Sequence, residues 1–92
     1  MNQADSTSAI AVVRSLLAAG EIVAATEQLR RLLDDQPGNL EALILLGNIL
    51  IRSGRFQDAQ RVYQRALAIS PRDVTILQAL GGIHHQLGNT SQ

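Results

Sequence analysis

Few residues in this chain are of types that do chemistry. His84-His85 is the one pair of histidines. Two imidazoles can share a metal ion, but adjacent residues on a helix project about 100° apart, and it is the i,i+4 pair that converges on one ion. There is no third histidine and no cysteine to complete a ligand set. The pair therefore predicts structural or partner contact. Asp34-Asp35 is a carboxylate pair near a helix end. General acid–base work needs two carboxyls converging on a cleft with split pKa values, and neighbours on an exposed terminus do not converge. Gly81-Gly82 lies inside a helical stretch, not between a strand and a helix, so it lacks the context of a phosphate loop. No nucleophile–base–orienter set can be assembled from the remaining residues. The expected catalytic, cofactor and metal residues are none, and this segment is not expected to be an enzyme.

Phosphate binding is the next chemistry to weigh. Arg52, Arg55, Arg61, Arg65 and Arg72 are the only basic concentration, with Arg61 and Arg65 on one helix face. Eight arginines balance eight acids, there is no lysine, and the formal charge is zero. Residues 1–50 carry three arginines and six acids, and residues 51–92 carry five arginines and two acids. This gradient fits scattered solvated faces. Neutralising phosphates needs a concentrated basic surface, so RNA binding is the least favoured reading.

The elements that would position any of these residues are organised around Leu40 to Pro71, two amphipathic stretches joined by a turn at Ser53-Gly54. The rest of the chain is the same unit shifted by 34 residues. Pro37 recurs as Pro71, and Gly20 as Gly54 and Gly88. Ala25, Arg31 and Leu33 recur as Ala59, Arg65 and Leu67. Leu43, Leu46, Gly47 and Ile49 recur as Leu77, Leu80, Gly81 and Ile83. A fixed period in this range marks a stacked array of short helical units. Gly47 and Ala59 are small, which lets two helices of one hairpin approach closely. Gly54 suits a left-handed helix ending, and Pro71 ends the second helix of the unit.

On these residues the central unit resembles a tetratricopeptide repeat. Leu43 stands where that family often has Trp. Leu46-Gly47, Leu50, Gly54, Ala59, Tyr63, Ala66 and Pro71 then follow its pattern. Residues 6–39 depart from it at Val13, in place of the packing Gly, and at Leu32, in place of the second Ala. The resemblance implies an all-α fold: antiparallel helical hairpins stacked as a right-handed solenoid of about five helices. The organisation expected is a disordered tail over 1–5, a first repeat over 6–39, a second over 40–73, and over 74–92 the first helix of a third, incomplete repeat.

In chain order, Ser6, Thr7 or Ser8 is expected to cap the first helix, and Asn39 and Asp73 the third and fifth. The fifth should reach about Leu87, and Gly88 should begin a turn. At 92 residues and 46% apolar content the chain suits one small core. Tyr63 and Phe56 are its only aromatic residues. The absence of cysteine leaves the redox compartment uninformed. Ala9 to Val13 is too short an apolar run for a signal or a membrane span. The expectation is a cytoplasmic protein, and the Arg-, Ala- and Leu-rich usage suggests a bacterial one.

The resemblance implies a concave surface lined by the first helix of each hairpin. Its inner places hold Ile10, Arg14 and Leu17, then Glu41, Ile44, Asn48, Ile51 and Arg52, then Gln78 and His85. Apolar residues on a face that the hairpin does not need suggest a contact surface. The family's chaperone-binding members clamp a carboxylate with Lys and Asn. Here those places hold Ile10, Arg14, Leu45, Thr75 and Ala79, so a carboxylate clamp is not expected. Ile76, Ile83 and Leu87 are expected to lie open on the last helix and to mediate self-association, for which a homodimer is the simplest closure. The function expected is a scaffold that binds a peptide or helix of another protein in the groove. The alternative is the N-terminal segment of a larger enzyme of transferase or hydroxylase type, which the repeats would dimerise or supply with substrate. No cofactor and no membrane are implied.

Overall fold

The computed structural model describes residues 3–90. It holds five helices: α1 (Gln3–Ala18), α2 (Ile22–Asp35), α3 (Leu40–Arg52), α4 (Phe56–Ile69) and α5 (Val74–Thr90). Among the described residues there is no strand. Each helix packs on its neighbours in sequence, from α1 on α2 to α4 on α5. The result is an elongated stack of 45 × 29 × 19 Å.

The two tight turns close in the same way because glycine stands at the same place in each. Gly20 and Gly54 have φ of 79° and 76°. The Gly54 N–H donates to the Ile51 carbonyl at 3.0 Å, and the Arg55 N–H to the Leu50 carbonyl at 2.8 Å. Gly20 to Leu17 and Glu21 to Leu16 repeat this pair at 3.0 and 2.8 Å. Such a double closure needs a left-handed residue, which glycine adopts without a Cβ penalty. Between hairpins, Pro37 and Pro71 follow the helix ends and cannot extend them. Asn39 Oδ1 then accepts the Ala42 N–H at 3.0 Å and caps α3. Asp73 Oδ1 accepts from the Thr75 and Ile76 N–H groups at 2.9 and 3.3 Å and caps α5.

The core runs the length of the stack through Val13, Leu29, Leu43, Tyr63, Ile76 and Ile83. Its tightest point is between α3 and α4. A Cβ placed on Gly47 would lie 2.4 Å from Cε2 of Tyr63 and under 3 Å from two more of its ring atoms. The ring is fully buried, so glycine at 47 makes room for it. In the first hairpin the equivalent places hold Val13 and Leu29, both fully buried. A larger residue on one helix is matched there by a smaller one on the other, which keeps packing density up.

Two local expectations change. The helix α1 starts at Gln3, so residues 3–5 continue it and Ser6 to Ser8 lie inside it; residues 1 and 2 of the expected tail lie outside the described residues. No glycine or proline interrupts this stretch, and a serine or threonine in sequence is only an opportunity to start a helix. At the other end, α5 runs through Gly88 to Thr90. Gly88 does not take the positive φ of Gly20 and Gly54. A left-handed turn is held by the helix that returns after it, and none packs beyond Gly88 among the described residues.

Candidate partner-binding site

A cleft of about 480 Å³ opens between α1 and α3. Leu17, Ala18, Ile22, Leu45 and Ile49 give it an apolar lining, and Arg14, Asn48, Arg52 and Ser53 supply the polar atoms. Helical spacing explains this lining. Leu45, Asn48, Ile49 and Arg52 fall three and four apart on α3, and Arg14, Leu17 and Ala18 do the same on α1, so each set shares one face.

Four of the expected groove residues therefore meet in one place: Arg14, Leu17, Asn48 and Arg52. Glu41 lies beside them and forms an ion pair with Arg14 that bridges α1 and α3. Both side chains are more than half exposed, at 58% and 53%, so the pair adds little stability and acts mainly on the shape and charge of the rim. Arg52 makes no ion pair among the described residues. Ile44 and Ile51 are half-buried and pack against the core. Gln78 and His85 are exposed on α5, outside the cleft. Ile10 corrects an expectation: it is 6% exposed and part of the core. The place equivalent to Ile44 is more deeply covered in the first hairpin, so Ile10 cannot face a partner.

Leu45, Ile49, Ala18, Ile22 and Ser53 were not among the expected groove residues. The signal for Leu45 and Ile49 is their three- and four-residue spacing from Asn48 and Arg52. Ser53 and Ala18 carry only their closeness to the turn glycines.

The core fixes the floor of this surface from below. The Tyr63 hydroxyl donates to Asn48 Oδ1 at 2.8 Å and lies 3.4 Å from the Ile44 carbonyl. Burial removes the phenol from water and pushes its pKa above the ordinary 10.0. It stays a neutral donor at physiological pH. With Oδ1 of Asn48 engaged by that hydroxyl, the amide presents its NH₂ as the remaining donor.

The last helix corrects a second expectation. Ile76 and Ile83 are 0% and 1% exposed, and Leu87 is half-buried against the core. Ile76 and Ile83 cannot form a self-association surface. They repeat Ala42 and Ile49, which are core residues, and they fill the stripe of α5 that meets α4. The exposed stripe lies about 100° away, at Val74 and Leu77. His84 Nδ1 lies 3.4 Å from Gln60 Nε2 and ties α5 to α4. No three His, Cys, Asp or Glu side chains cluster among the described residues, and no helix among them is long and apolar enough to cross a membrane.

Comparison with known proteins places this geometry. Residues 16–65 match the family described as tetratricopeptide repeat, and residues 47–88 match a TPR repeat. Protein CTR9 homolog of Arabidopsis thaliana is 38% identical over 56 residues, which is 61% of this chain and 5% of that protein. A tetratricopeptide repeat protein from Parabacteroides merdae superposes with a TM-score of 0.81 at 28% identity, over 92% of this chain and 34% of that one. A mutant of MamA superposes with a TM-score of 0.79 at 21% identity, over 91% of this chain and 61% of that one. The last likeness is one of fold. In each case the chain spans less than two thirds of the protein it resembles.

Proposed function

This chain belongs to the tetratricopeptide repeat family, and from that premise we propose that it holds a peptide or helix of a partner protein in the cleft between α1 and α3. The repeats make it a protein-interaction module. The observation that carries the finer reading is the cleft itself. It has an apolar floor of Leu17, Leu45 and Ile49 beneath the Asn48 amide and the Arg52 guanidinium. Large apolar side chains give such a surface affinity, and a few placed polar groups give it orientation. A ligand that fits puts an aliphatic or aromatic side chain on the floor and a carbonyl or carboxylate near Arg52.

The test uses a random peptide library displayed on phage, selected against the full immobilised chain. Peptides that enrich should shift the amide resonances of residues 14–18 and 45–53. Leu17→Arg and Arg52→Glu should each abolish their binding, Arg52 being exposed on the rim and Leu17 half-buried in the lining, with circular dichroism checking that each variant keeps its helicity. Selected peptides that bind both variants as tightly as the parent chain would refute the placement. A second reading is motivated by the greater length of the similar proteins: these repeats serve as one segment of a larger protein, an enzyme included. The reading frame of the full gene decides it: a frame that extends well beyond these residues supports this reading, with a catalytic domain in it pointing to an enzyme, and a frame limited to them removes it.

A further inference from the structure

The helices α2 and α4 run parallel, as the second helices of successive hairpins, and each packs on α3 between them. They enclose a groove of about 850 Å³. It meets α3 at Leu46 and Leu50, about 100° round that helix from Leu45, Asn48 and Arg52 of the cleft. Leu33, Leu46, Ile49, Leu50 and Val62 form an apolar floor, buried or half-buried. Val23 stands on the α2 wall and is 84% exposed. Arg30 lies on the same wall, and Arg61 and Arg65 lie on the α4 wall. Arg30 is the repeat counterpart of Gln64, so on parallel helices it stands level with the gap between Arg61 and Arg65. The Arg30 guanidinium forms no ion pair among the described residues. Arg65 donates to a neutral acceptor, the Pro37 carbonyl, at 3.2 Å. The acids at this height are already held. Asp58 lies 3.1 Å from Arg55 and 3.3 Å from Arg61, and Glu27 lies 3.9 Å from Arg31 on its own helix. With Arg31 included, four arginines stand here against two acids, and Asp34 follows a turn beyond.

We infer that this groove docks an acidic amphipathic helix of a partner protein, antiparallel to α2 and α4. Its apolar stripe lies on the floor, and the carboxylates of its first turns sit between Arg30 on one wall and Arg61 and Arg65 on the other. The floor explains why the occupant is a helix. Its five side chains offer no hydrogen-bonding atom, so a segment lying on them must satisfy its own backbone. Charge explains the acids, since the walls carry unbalanced guanidinium groups that bind carboxylates through paired N–H donors. Direction follows from the same residues. The arginines stand from the middle of α2 and α4 towards their C-terminal ends. An antiparallel helix brings its N-terminal turns to that height, where its own dipole favours acids.

A second copy of this chain does not supply such a helix. Its α1, α3 and α4 carry one acid each and α5 carries none, while α2, with three, is itself a wall of the groove. From Val23 to Asp34 that wall rises about 16 Å, so three helical turns fill the groove. A footprint of about 16 by 10 Å is far below the 800 Å² or so per partner that a stable interface needs. The docked helix is therefore a weak, micromolar ligand when it binds alone. Arg30, Arg61 and Arg65 do not line the cleft between α1 and α3, so this inference stands independently of the reading given for that cleft.

The probes are three stapled helical peptides of about 12 residues with the same leucine stripe. They differ only beside that stripe in the first two turns, where they carry glutamate, glutamine or lysine. Each is labelled and titrated by fluorescence anisotropy into the full 92-residue chain. Saturable micromolar binding of the glutamate peptide is expected, with amide shifts in residues 23–34 and 58–65. The glutamine peptide should bind about tenfold more weakly, and the lysine peptide more weakly still. Arg30→Glu should weaken the glutamate peptide about tenfold and leave the glutamine peptide unchanged, with circular dichroism checking that helicity is kept. Arg52→Glu should change neither, which separates the groove from the cleft. No saturable binding, or a glutamine peptide as tight as the glutamate one, overturns the inference. So does binding of the glutamate peptide that Arg52→Glu removes and Arg30→Glu does not, because the acidic helix would then lie in the cleft. A concentration-dependent dimer, seen by sedimentation equilibrium, that Arg30→Glu dissolves also overturns it, because the occupant would then be a second copy.

Discussion

Gly47→Ala and Gly81→Ala should change stability in opposite directions, although both replace a mid-helix glycine at the same place in the repeat. In an unobstructed helix the exchange of glycine for alanine stabilises by about 1 kcal/mol through backbone entropy and propensity. At Gly81 nothing lies within 4 Å of the new Cβ, so that gain should appear almost in full. At Gly47 the Cβ would sit 2.4 Å from Tyr63 Cε2, 2.8 Å from Cδ2 and 2.9 Å from Cζ. These are atoms along one edge of a fully buried ring, so the whole side chain or the α3–α4 spacing must shift. Overpacking of this kind costs about 1–3 kcal/mol. The cost outweighs the propensity gain except at its lowest value, leaving Gly47→Ala destabilised by up to about 2 kcal/mol, and the two variants separated by about 1–3 kcal/mol. In a domain of this size 1 kcal/mol moves the melting temperature by about 4–8 °C, so the split is readily measured. Thermal and urea unfolding followed by circular dichroism at 222 nm should rank Gly81→Ala above the parent chain and Gly47→Ala below it. Gly47→Val with Tyr63→Leu copies the Val13–Leu29 arrangement of the first hairpin and should recover much of the loss of Gly47→Val alone. A Gly47→Ala chain as stable as the Gly81→Ala chain would show that the ring does not set the spacing, and the argument from complementary sizes would fall with it.

Three further outcomes can be measured on the same footing. Asn39→Ala removes the acceptor of the Ala42 N–H and should cost about 1 kcal/mol in urea unfolding, as N-cap losses do. Gly54→Ala forces a side chain into φ of +76° and should cost about 1–2 kcal/mol, whereas Gly88→Ala, inside a continuous helix, should be neutral or stabilising in the same assay. Tyr63 should titrate above 10.0, because burial opposes the phenolate. The folded state then holds its proton where the unfolded chain has released it, so the stability from this group is fully present below pH 10 and is lost as pH rises towards the folded pKa. Phenolate absorbance near 295 nm that rises at an ordinary tyrosine pKa in the folded protein would contradict its burial.

Much of the architecture was legible because its signals are local. Gly20 and Gly54 mark helix endings whose geometry only a left-handed residue satisfies, and Asn39 and Asp73 cap the helices they precede. Gly88 carries the same local signal and the turn is not made, because such a turn also needs a returning helix to hold it. The cleft was half legible. Arg14, Leu17, Asn48 and Arg52 stand at inner places that the resemblance to the repeat family implies, and they line the cleft. Ile10 has the same register as Ile44 and Gln78, yet the three are buried, half-buried and exposed in turn. Exposure at a given repeat position depends on which neighbours stand above and below it, and period says nothing of that.

The sequence by itself determined the period, the helix count, the glycine turns at Gly20 and Gly54 and the small residues that let the helices of a hairpin approach. These follow from backbone conformation and side-chain volume within some 34 residues. Only the tertiary structure decided which stripe of α5 is covered. Ile76, Leu80 and Ile83 form one apolar stripe, and Val74 and Leu77 form another about 100° round the same helix. Both have the spacing of a buried face. The α4 helix takes the first and leaves the second to solvent, because α4 is the helix that packs extensively on α5 among the described residues and it covers one side.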